Sequence, residues 1–266
     1  MANNDGRKVA IVTGAAGGIG MATGRKLAQD GFRVILSDLH EGAAQEVADE
    51  IGGAFQQADV TSEEEVEALV DRAVTDFGRL DAIVNNAGQA GALGPIVDVT
   101  AEYWRRTMAV LLDGVFFGVK HAARAMIAGG RGGTILITTS ISGQTAVGGH
   151  PYIAAKHALI GLTRSAANDL APHGIRVNGV APGYTLTPMT IDMFGSEDQA
   201  RSVLGSRAPL GIVIEPRDIA EAFAFLAGDS GRAITGQQIT VDAGFLECLN
   251  RSMTFEREPI YLGAQQ

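Results

Sequence analysis

Cysteine, positive charge and long apolar runs are all scarce in this chain of 266 residues. Cys248 is the single cysteine, so no disulfide can form within the chain. Acidic residues outnumber basic ones by 30 to 21, which gives a net charge of -9 and disfavours nucleic acid and anionic membranes as partners. Asp113 and Lys120 interrupt the most apolar long stretch, so it falls short of the roughly 18 residues that a membrane helix needs.

The first residues, Met1-Ala2-Asn3-Asn4-Asp5, lack the charged and apolar regions of a signal peptide. We therefore expect a cytoplasmic protein whose partner is a small molecule. The histidines show no metal-ligand spacing, so we expect no metal site. They are His40, His121, His150, His157 and His173.

Glycine is abundant, with 35 residues that cluster between apolar runs as turns require. Segments typical of strands and helices alternate almost to the end of the chain. The main predicted strands span residues 8–12, 33–37, 80–84, 134–139, 175–180 and 238–241, and the main predicted helices span 21–29, 41–51, 101–128, 152–170 and 216–227. This alternation predicts an α/β fold with a doubly wound parallel sheet of the Rossmann type. No linker or repeat divides residues 1–266, so we expect one domain.

A glycine turn, residues 13–20, follows the first predicted strand and leads into a helix. Glycine lets the backbone approach a ligand closely, and the free amides at a helix start favour a pyrophosphate. Asp38 ends the second predicted strand, where a ribose-binding carboxylate is expected. The two features together predict dinucleotide binding.

Ligands of doubly wound folds bind beyond the carboxyl ends of the strands. We therefore expect the residues that follow predicted strands to converge on one crevice. These residues are Gly14, Asp38, Asp59, Asn85 to Gly88, Ser140, Pro182 and Gly183.

Tyr152 and Lys156 are four residues apart, hence on one face of a helix. A free tyrosine has a pKa of about 10, so it is a poor base near neutrality unless a nearby cation favours the phenolate. Taken alone, the pair is more simply explained as two surface residues. The pair follows the predicted strand 134–139 in a chain that begins with the glycine turn, and this position favours a catalytic role.

Four motifs in order resemble the short-chain dehydrogenase/reductase family, classical type, over residues 7 to about 246. The family's TGxxxGxG, NNAG, YxxxK and PG motifs match, respectively, Thr13, Gly14, Gly18 and Gly20; Asn85 to Gly88; Tyr152 and Lys156; and Pro182 and Gly183. The resemblance implies that Tyr152 exchanges a proton with the substrate oxygen, that Lys156 lowers the tyrosine pKa and binds the nicotinamide ribose, and that Ser140 holds the substrate oxygen.

Thr138, Thr139, Ser140 and Ser142 all lie at the end of the same predicted strand. Family sequences usually have glycine three residues after the catalytic serine, and Gly143 therefore selects Ser140. The separation of 12 residues between Ser140 and Tyr152 is one shorter than is common in the family.

The resemblance also implies a set of cofactor-binding residues. They are Gly14, Gly18, Ile19, Gly20, Asp38, Leu39, Asp59, Val60, Asn86, Ala87, Gly88, Tyr152, Lys156, Pro182, Gly183, Thr185 and Thr187. Asp59 and Val60 are expected to line the adenine, and Thr185 and Thr187 to meet the nicotinamide amide. Asp38 would repel the 2′-phosphate of NADP, and Gly17 and Leu39 stand where relatives that use NADP carry a basic residue, so NAD is the expected cofactor.

One residue departs from the family pattern. Leu111 stands where relatives have an asparagine that helps to hold a water in a proton relay to the lysine. Part of that role falls to the asparagine's backbone carbonyl, which a leucine retains. The change therefore implies either a slowed relay or a loss of catalysis.

Two further segments carry apolar residues. Met189, Met193 and Phe194 follow the PG motif and are interpreted either as a lid over the substrate or as core residues. The tail, 247–266, extends past the end of many relatives, and we expect it to pack on a neighbouring subunit of a homotetramer.

The sequence predicts an NAD-dependent oxidoreductase that interconverts a secondary alcohol and a ketone, with a small or medium apolar substrate that is open-chain or cyclic. One alternative is a reductase of 3-oxoacyl thioesters, which Asp38 and the net charge disfavour. The other is a catalytically impaired NAD-binding protein, which only Leu111 favours.

Overall fold

Seven strands form one parallel sheet in the order β3-β2-β1-β4-β5-β6-β7 in the computed structural model, which describes residues 6–248. The strands are β1 (Val9–Thr13), β2 (Arg33–Asp38), β3 (Ala54–Gln57), β4 (Ala82–Asn85), β5 (Gly133–Thr138), β6 (Ile175–Pro182) and β7 (Gln238–Val241). The strand order reverses between β1 and β4, so the crevice of a doubly wound sheet lies at their carboxyl ends. The predicted fold class is confirmed.

Helices lie between the strands and cover both faces of the sheet. They are α1 (Gly18–Gln29), α2 (Gly42–Glu50), α3 (Glu63–Phe77), α4 (Ala101–Met108), α5 (Gly114–Gly129), α6 (His150–Leu170), α7 (Pro188–Phe194), α8 (Glu197–Arg207) and α9 (Pro216–Ala227). Local signals place several of their ends. The Ser62 side chain caps α3 by accepting a hydrogen bond from the amide of Glu65, and Pro216 opens α9, where its missing N–H costs no helical hydrogen bond.

Two apolar cores lie on opposite faces of the sheet because side chains alternate along each strand. Ile11 and Ile35 belong to the core that α5 and α6 cover, whereas Val12 and Leu36 belong to the core that α1 and α9 cover. Every residue of β1 is buried, as expected for a central strand covered on both sides. A smaller cluster, with Leu186, Ala200 and Leu204 at its centre, lies beneath α7 and α8.

The predicted helix 101–128 is helical throughout its length, but it is not regular. The chain forms α4, a π-turn at Ala109–Asp113 and then α5. In a π-turn each backbone hydrogen bond joins residues five apart instead of four, so one extra residue is accommodated. Such bulges often occur at functional sites. Apolar periodicity does not report this change, because α4 buries only Thr107 and therefore has no apolar stripe to compare with that of α5.

Other boundaries differ by a few residues. Helix α1 begins at Gly18 instead of residue 21, so the last glycines of the glycine turn form the first helical turn, and α6 begins at His150 instead of Tyr152. The short helices α7 and α8 were not predicted, since the segment shows only a weak apolar pattern. The tail expected to contact a neighbouring subunit lies, from residue 249, outside the described residues. No helix in 6–248 is long and apolar enough to cross a membrane.

Candidate active site

The glycine turn joins β1 to α1 and has no room for side chains at two positions. A Cβ on Gly14 would lie 2.7 Å from the Cα of Ala87, and one on Gly20 would lie 2.1 Å from the carbonyl oxygen of Gly14. Gly14 also has a φ of 67°, which favours glycine. Gly17, at the N-cap of α1, provides no side-chain cap, so the first amides of the helix face outward for a ligand. These features fit the pyrophosphate of a dinucleotide.

Asn86 and Thr13 connect the glycine turn to the end of β4. The amide nitrogen of the Asn86 side chain donates to the carbonyl oxygens of Thr13 at 3.0 Å and Gly14 at 3.2 Å. The Thr13 hydroxyl accepts from the backbone amides of Asn86 and Ala87. The motifs at residues 13–20 and 85–88, far apart in sequence, therefore lie side by side.

Asp38 lies at the end of β2, against the same turn. Its carboxylate accepts from the backbone amide of Ala16 at 2.9 Å and from that of His40 at 3.0 Å. The negative charge is thereby fixed beside the glycine turn. Leu39, the next residue, is half exposed and places no positive charge there.

The Asn86 side chain leads on to the candidate catalytic residues at the end of β5. Its oxygen accepts from the Thr138 hydroxyl at 3.0 Å, and the Thr138 carbonyl accepts from the ammonium of Lys156 at 2.7 Å. The same ammonium lies 5.5 Å from the centre of the Tyr152 ring. The Tyr152 hydroxyl is hydrogen-bonded to Ser140. Ser140, Tyr152 and Lys156 thus lie together at the end of β5.

Burial changes the acid-base properties of both α6 residues. It raises the pKa of the Tyr152 phenol, and the side-chain hydrogen bond between Tyr152 and Ser140 only partly opposes this rise. It lowers the pKa of the Lys156 ammonium to about 8. The resemblance implies the opposite direction for Tyr152, whereas here the desolvation of the phenol is the larger effect on its pKa.

The lowered pKa of Lys156 predicts a stability that rises with pH. Between pH 8 and 10 the unfolded chain keeps this proton, with an ordinary pKa of 10.5, whereas the folded chain loses it, so the free energy of unfolding increases with pH. The expected increase is about 2 to 3 kcal/mol. Urea unfolding of the cofactor-free protein at steps across this range measures it. Lys156→Met is expected to remove this contribution, and an unchanged slope in that variant would contradict the assignment.

The end of β6 carries the segment that follows the PG motif. Gly183 is packed so closely that a Cβ would lie 2.7 Å from the Cα of Asp242. The Thr185 hydroxyl donates to the Gly183 carbonyl at 3.1 Å, and Thr187 caps α7. A Cβ on Gly18 would meet the Thr187 methyl at 3.2 Å, so α7 begins directly over the glycine turn.

Asp59 and Val60 have local structural contacts. The carboxylate of Asp59 accepts from the amide and hydroxyl of Thr61 at 2.9 and 2.8 Å, in the turn that precedes α3. Val60 lies against Gly114, the first residue of α5. These contacts give both residues a structural role. The expectation that Asp59 and Val60 line the adenine stays a prediction.

Leu111 lies within the π-turn and is fully buried, with 1% of its surface exposed. A Cβ on Gly88 would lie 3.4 Å from a methyl of Leu111, so the leucine packs beneath the 85–88 segment. It therefore fills space next to the candidate cofactor site. Its backbone, unlike its side chain, keeps the polar atoms of the residue found in relatives.

Exposed apolar side chains occur on two segments near the crevice. Met189 and Met193 on α7 are 41% and 54% exposed, as a lid residue would be, whereas Phe194 packs on the small cluster beneath α7 and α8. On the other segment, a Cβ on Gly149 would lie 3.1 Å from a methyl of Leu93, which is 62% exposed. Gly149 immediately precedes α6 and the candidate catalytic tyrosine.

Sequence reasoning missed the roles of Thr13 and Thr138. Thr13 links the ends of β1 and β4 through its hydroxyl and its carbonyl. Thr138 links the end of β5 to Asn86 through its hydroxyl and to Lys156 on α6 through its carbonyl. The available signal was their position, one residue before a glycine and two before a serine at strand ends. Among the described residues, no group of three or more His, Cys, Asp or Glu side chains is placed to hold a metal ion.

Comparison with known proteins agrees with this geometry. A protein-family profile described as enoyl-(acyl carrier protein) reductase matches residues 14–246. The chain is 41% identical over 243 residues to a cis-4-hydroxycyclohexanecarboxylate dehydrogenase of Sinomonas cyclohexanicum, covering 90% of this chain and 96% of the relative. It is 40% identical over 239 residues to a mitochondrial borneol dehydrogenase of Lavandula x intermedia, covering 89% and 90%.

A solved structure of a short-chain type dehydrogenase/reductase from Mycobacterium marinum superimposes with a TM-score of 0.83 at 32% identity, covering 92% of this chain and 97% of the other. The chain belongs to the short-chain dehydrogenase/reductase family, of the classical type. It is an oxidoreductase, and its family uses a nicotinamide nucleotide.

Proposed function

We propose that the protein interconverts a secondary alcohol and a ketone with NAD, using Tyr152 as the proton donor and acceptor. The observation that carries the proposal is the contact between the hydroxyls of Ser140 and Tyr152, beside the ammonium of Lys156 and the end of β5. A hydroxyl pair at this position can hold one substrate oxygen and move its proton. When bound, the nicotinamide supplies the hydride acceptor or donor.

Residues of this chain hold the substrate oxygen, move its proton and orient the cofactor. In the oxidation, Ser140 holds the alcohol oxygen and Tyr152 accepts its proton; in the reduction, Tyr152 returns a proton to the ketone oxygen. Lys156 keeps the end of β5 in place through Thr138 and places positive charge near the phenol. Thr185 and Thr187 are proposed to hold the nicotinamide amide, since α7 begins over the glycine turn.

The substrate is proposed to be a cyclic alcohol with an apolar ring. Leu93, Met189 and Met193 present apolar surface near the crevice. The relatives named above act, by their names, on a hydroxycyclohexane acid and on borneol, both of which are cyclic secondary alcohols. Burial of a carbon ring against such side chains is favourable at about 25 cal/mol for each Å² removed from water.

A panel of secondary alcohols tests this proposal. The formation of reduced cofactor is measured with cyclohexanol, cis-4-hydroxycyclohexanecarboxylate, borneol, aliphatic alcohols and steroids, each with NAD and with NADP. We expect turnover of at least one cyclic alcohol with NAD. A preference for 3-oxoacyl thioesters with NADPH would favour the thioester reductase instead. Binding of NADH without turnover in either direction would favour a catalytically impaired protein.

Leu111→Asn is expected to change the pH dependence of turnover while leaving the affinity for cofactor unchanged. The new amide would lie in the π-turn at the position where relatives support the relay to the lysine. Because the site is fully buried, an amide without partners there would also cost about 1 to 3 kcal/mol of folding stability. Rate profiles against pH, together with urea unfolding, measure both effects. An unaltered profile would mean that the relay does not limit turnover.

We propose a homotetramer on the basis of the family resemblance. Light scattering coupled to size-exclusion chromatography measures the mass of the assembly. A monomer at the concentrations used in the activity assay would contradict the tetramer without affecting the chemical proposal.

A further inference from the structure

Ser142 is a buried hydroxyl in contact with the candidate catalytic serine, and the reaction proposed above gives it no role. Its side chain is buried, as is that of Ser140, with residue exposures of 4% and 7%. The Ser140 hydroxyl donates to the Ser142 hydroxyl at 3.1 Å, and the backbone amide of Ser142 donates to the Ser140 oxygen at 3.1 Å. Ser142 therefore contacts Ser140 through both its main chain and its side chain.

The backbone holds this pair rigidly. Ser140 is extended and caps a short 3₁₀ turn, Ile141–Gly143. A Cβ on Gly143 would lie 2.7 Å from the carbonyl oxygen of Lys156, so the turn is pressed directly onto α6. The two hydroxyls consequently keep their spacing relative to Tyr152 and Lys156, which α6 carries.

The Ser140 hydroxyl cannot donate a hydrogen bond to Ser142 and to a substrate at the same time. A serine hydroxyl has one proton to donate and two lone pairs to accept with. In the structure that proton is directed to Ser142. To hold a ketone oxygen Ser140 must direct the proton to the substrate, and the bond to Ser142 then survives only if Ser142 becomes the donor. A hydroxyl proton rotates freely about its C–O bond, so this reversal needs only a small adjustment of the Ser142 side chain.

We infer that Ser142 is a positioning residue for the reaction, acting through Ser140. Ser142 accepts a hydrogen bond from Ser140 when no substrate is bound. When Ser140 donates a hydrogen bond to the substrate oxygen, Ser142 donates one to the Ser140 oxygen. The resulting chain of two hydroxyl bonds polarises Ser140 as negative charge develops on the substrate oxygen, and bonds aligned in this way strengthen one another. This inference rests on the proposed function, because it needs Ser140 to contact the substrate.

Ser142→Ala is expected to lower kcat about 3- to 10-fold, the effect of one hydrogen bond, with little change in KM for NAD. Ser142→Thr restores a hydroxyl and is expected to recover most of the loss. The matched control is Thr145→Val in the same loop, since the Thr145 hydroxyl donates to the Ile141 carbonyl at 3.0 Å instead of to Ser140. A loss of the same size in the control would show a loosened loop and overturn the inference. Ser142→Cys, which keeps the side-chain volume with a weak donor, replaces the alanine variant if that variant does not fold.

A double-mutant cycle with Ser140→Ala completes the test, using the alcohol of highest turnover in the panel. If Ser142 acts through Ser140, then Ser142→Ala causes no further loss in the Ser140→Ala background. Equal losses in both backgrounds, or a silent Ser142→Ala beside a strong Ser140→Ala, would overturn the inference while leaving the proposed function in place. A silent Ser140→Ala, or no turnover by the unaltered protein, would overturn the proposed role of Ser140 and the inference with it.

Discussion

Tyr152→Phe is expected to lower turnover by at least about 10²- to 10⁴-fold, the usual contribution of a positioned proton transfer. The variant keeps the ring and loses only the hydroxyl that contacts Ser140. Its affinity for NADH should stay close to that of the unaltered protein, because the glycine turn and Asp38 do not contact this hydroxyl. Turnover is measured with the best alcohol of the panel, and NADH binding by calorimetry.

Tyr103→Phe serves as the control for this variant. Tyr103 is 53% exposed on α4, so removal of its hydroxyl should leave turnover unchanged. Near-normal turnover of Tyr152→Phe would refute the role of Tyr152. A parallel loss of NADH binding would point to a damaged site and would leave the catalytic role unsupported.

The preference for NAD over NADP is expected to be about 100-fold or more in kcat/KM. The Asp38 carboxylate is fixed beside the glycine turn by the amides of Ala16 and His40, where a 2′-phosphate would bring a like charge close to it. Such a juxtaposition costs several kcal/mol, and each 1.4 kcal/mol corresponds to about tenfold. Parallel kinetics with the two cofactors measure the ratio.

Asp38→Asn removes the charge and nearly keeps the shape, so it should reduce this preference at least about tenfold, chiefly by improving the use of NADP. Asp30→Asn is the matched control, since Asp30 forms an ion pair with Lys26 at the far end of α1. An unchanged ratio in Asp38→Asn would mean that another group selects the cofactor. A ratio that changes equally in the control would indicate a general effect of net charge.

The two predictions concern opposite ends of the same crevice. Asp38 acts at the end of β2 and Tyr152 beyond the end of β5, with Asn86 between them through hydrogen bonds to Gly14 and to Thr138. Because one side chain links the two regions, variants of Asn86 should affect both cofactor affinity and turnover. Variants at Asp38 and at Tyr152 should affect one property each.

The sequence by itself determined the order of the main strands and helices, the glycine turn and the residues expected at the site. These features are local: strands 9–13 and 82–85 are buried on both sides, Gly20 is required by backbone contact, and a four-residue spacing places Tyr152 and Lys156 together on one helix. The serine cap of α3 at Ser62 and the proline that opens α9 at Pro216 are local in the same way.

Only the tertiary structure decided the π-turn around Leu111, the lowered pKa of Lys156 and the pairing of Ser140 with Ser142. Each depends on groups that the chain brings together from a distance or by a turn whose geometry the residue types do not specify. The desolvation of Lys156 comes from the elements packed around it, and its partner, the Thr138 carbonyl, lies on β5 instead of on α6. Sequence spacing specifies which groups share a helix face, whereas burial and the direction of a hydroxyl proton follow from what packs against that face.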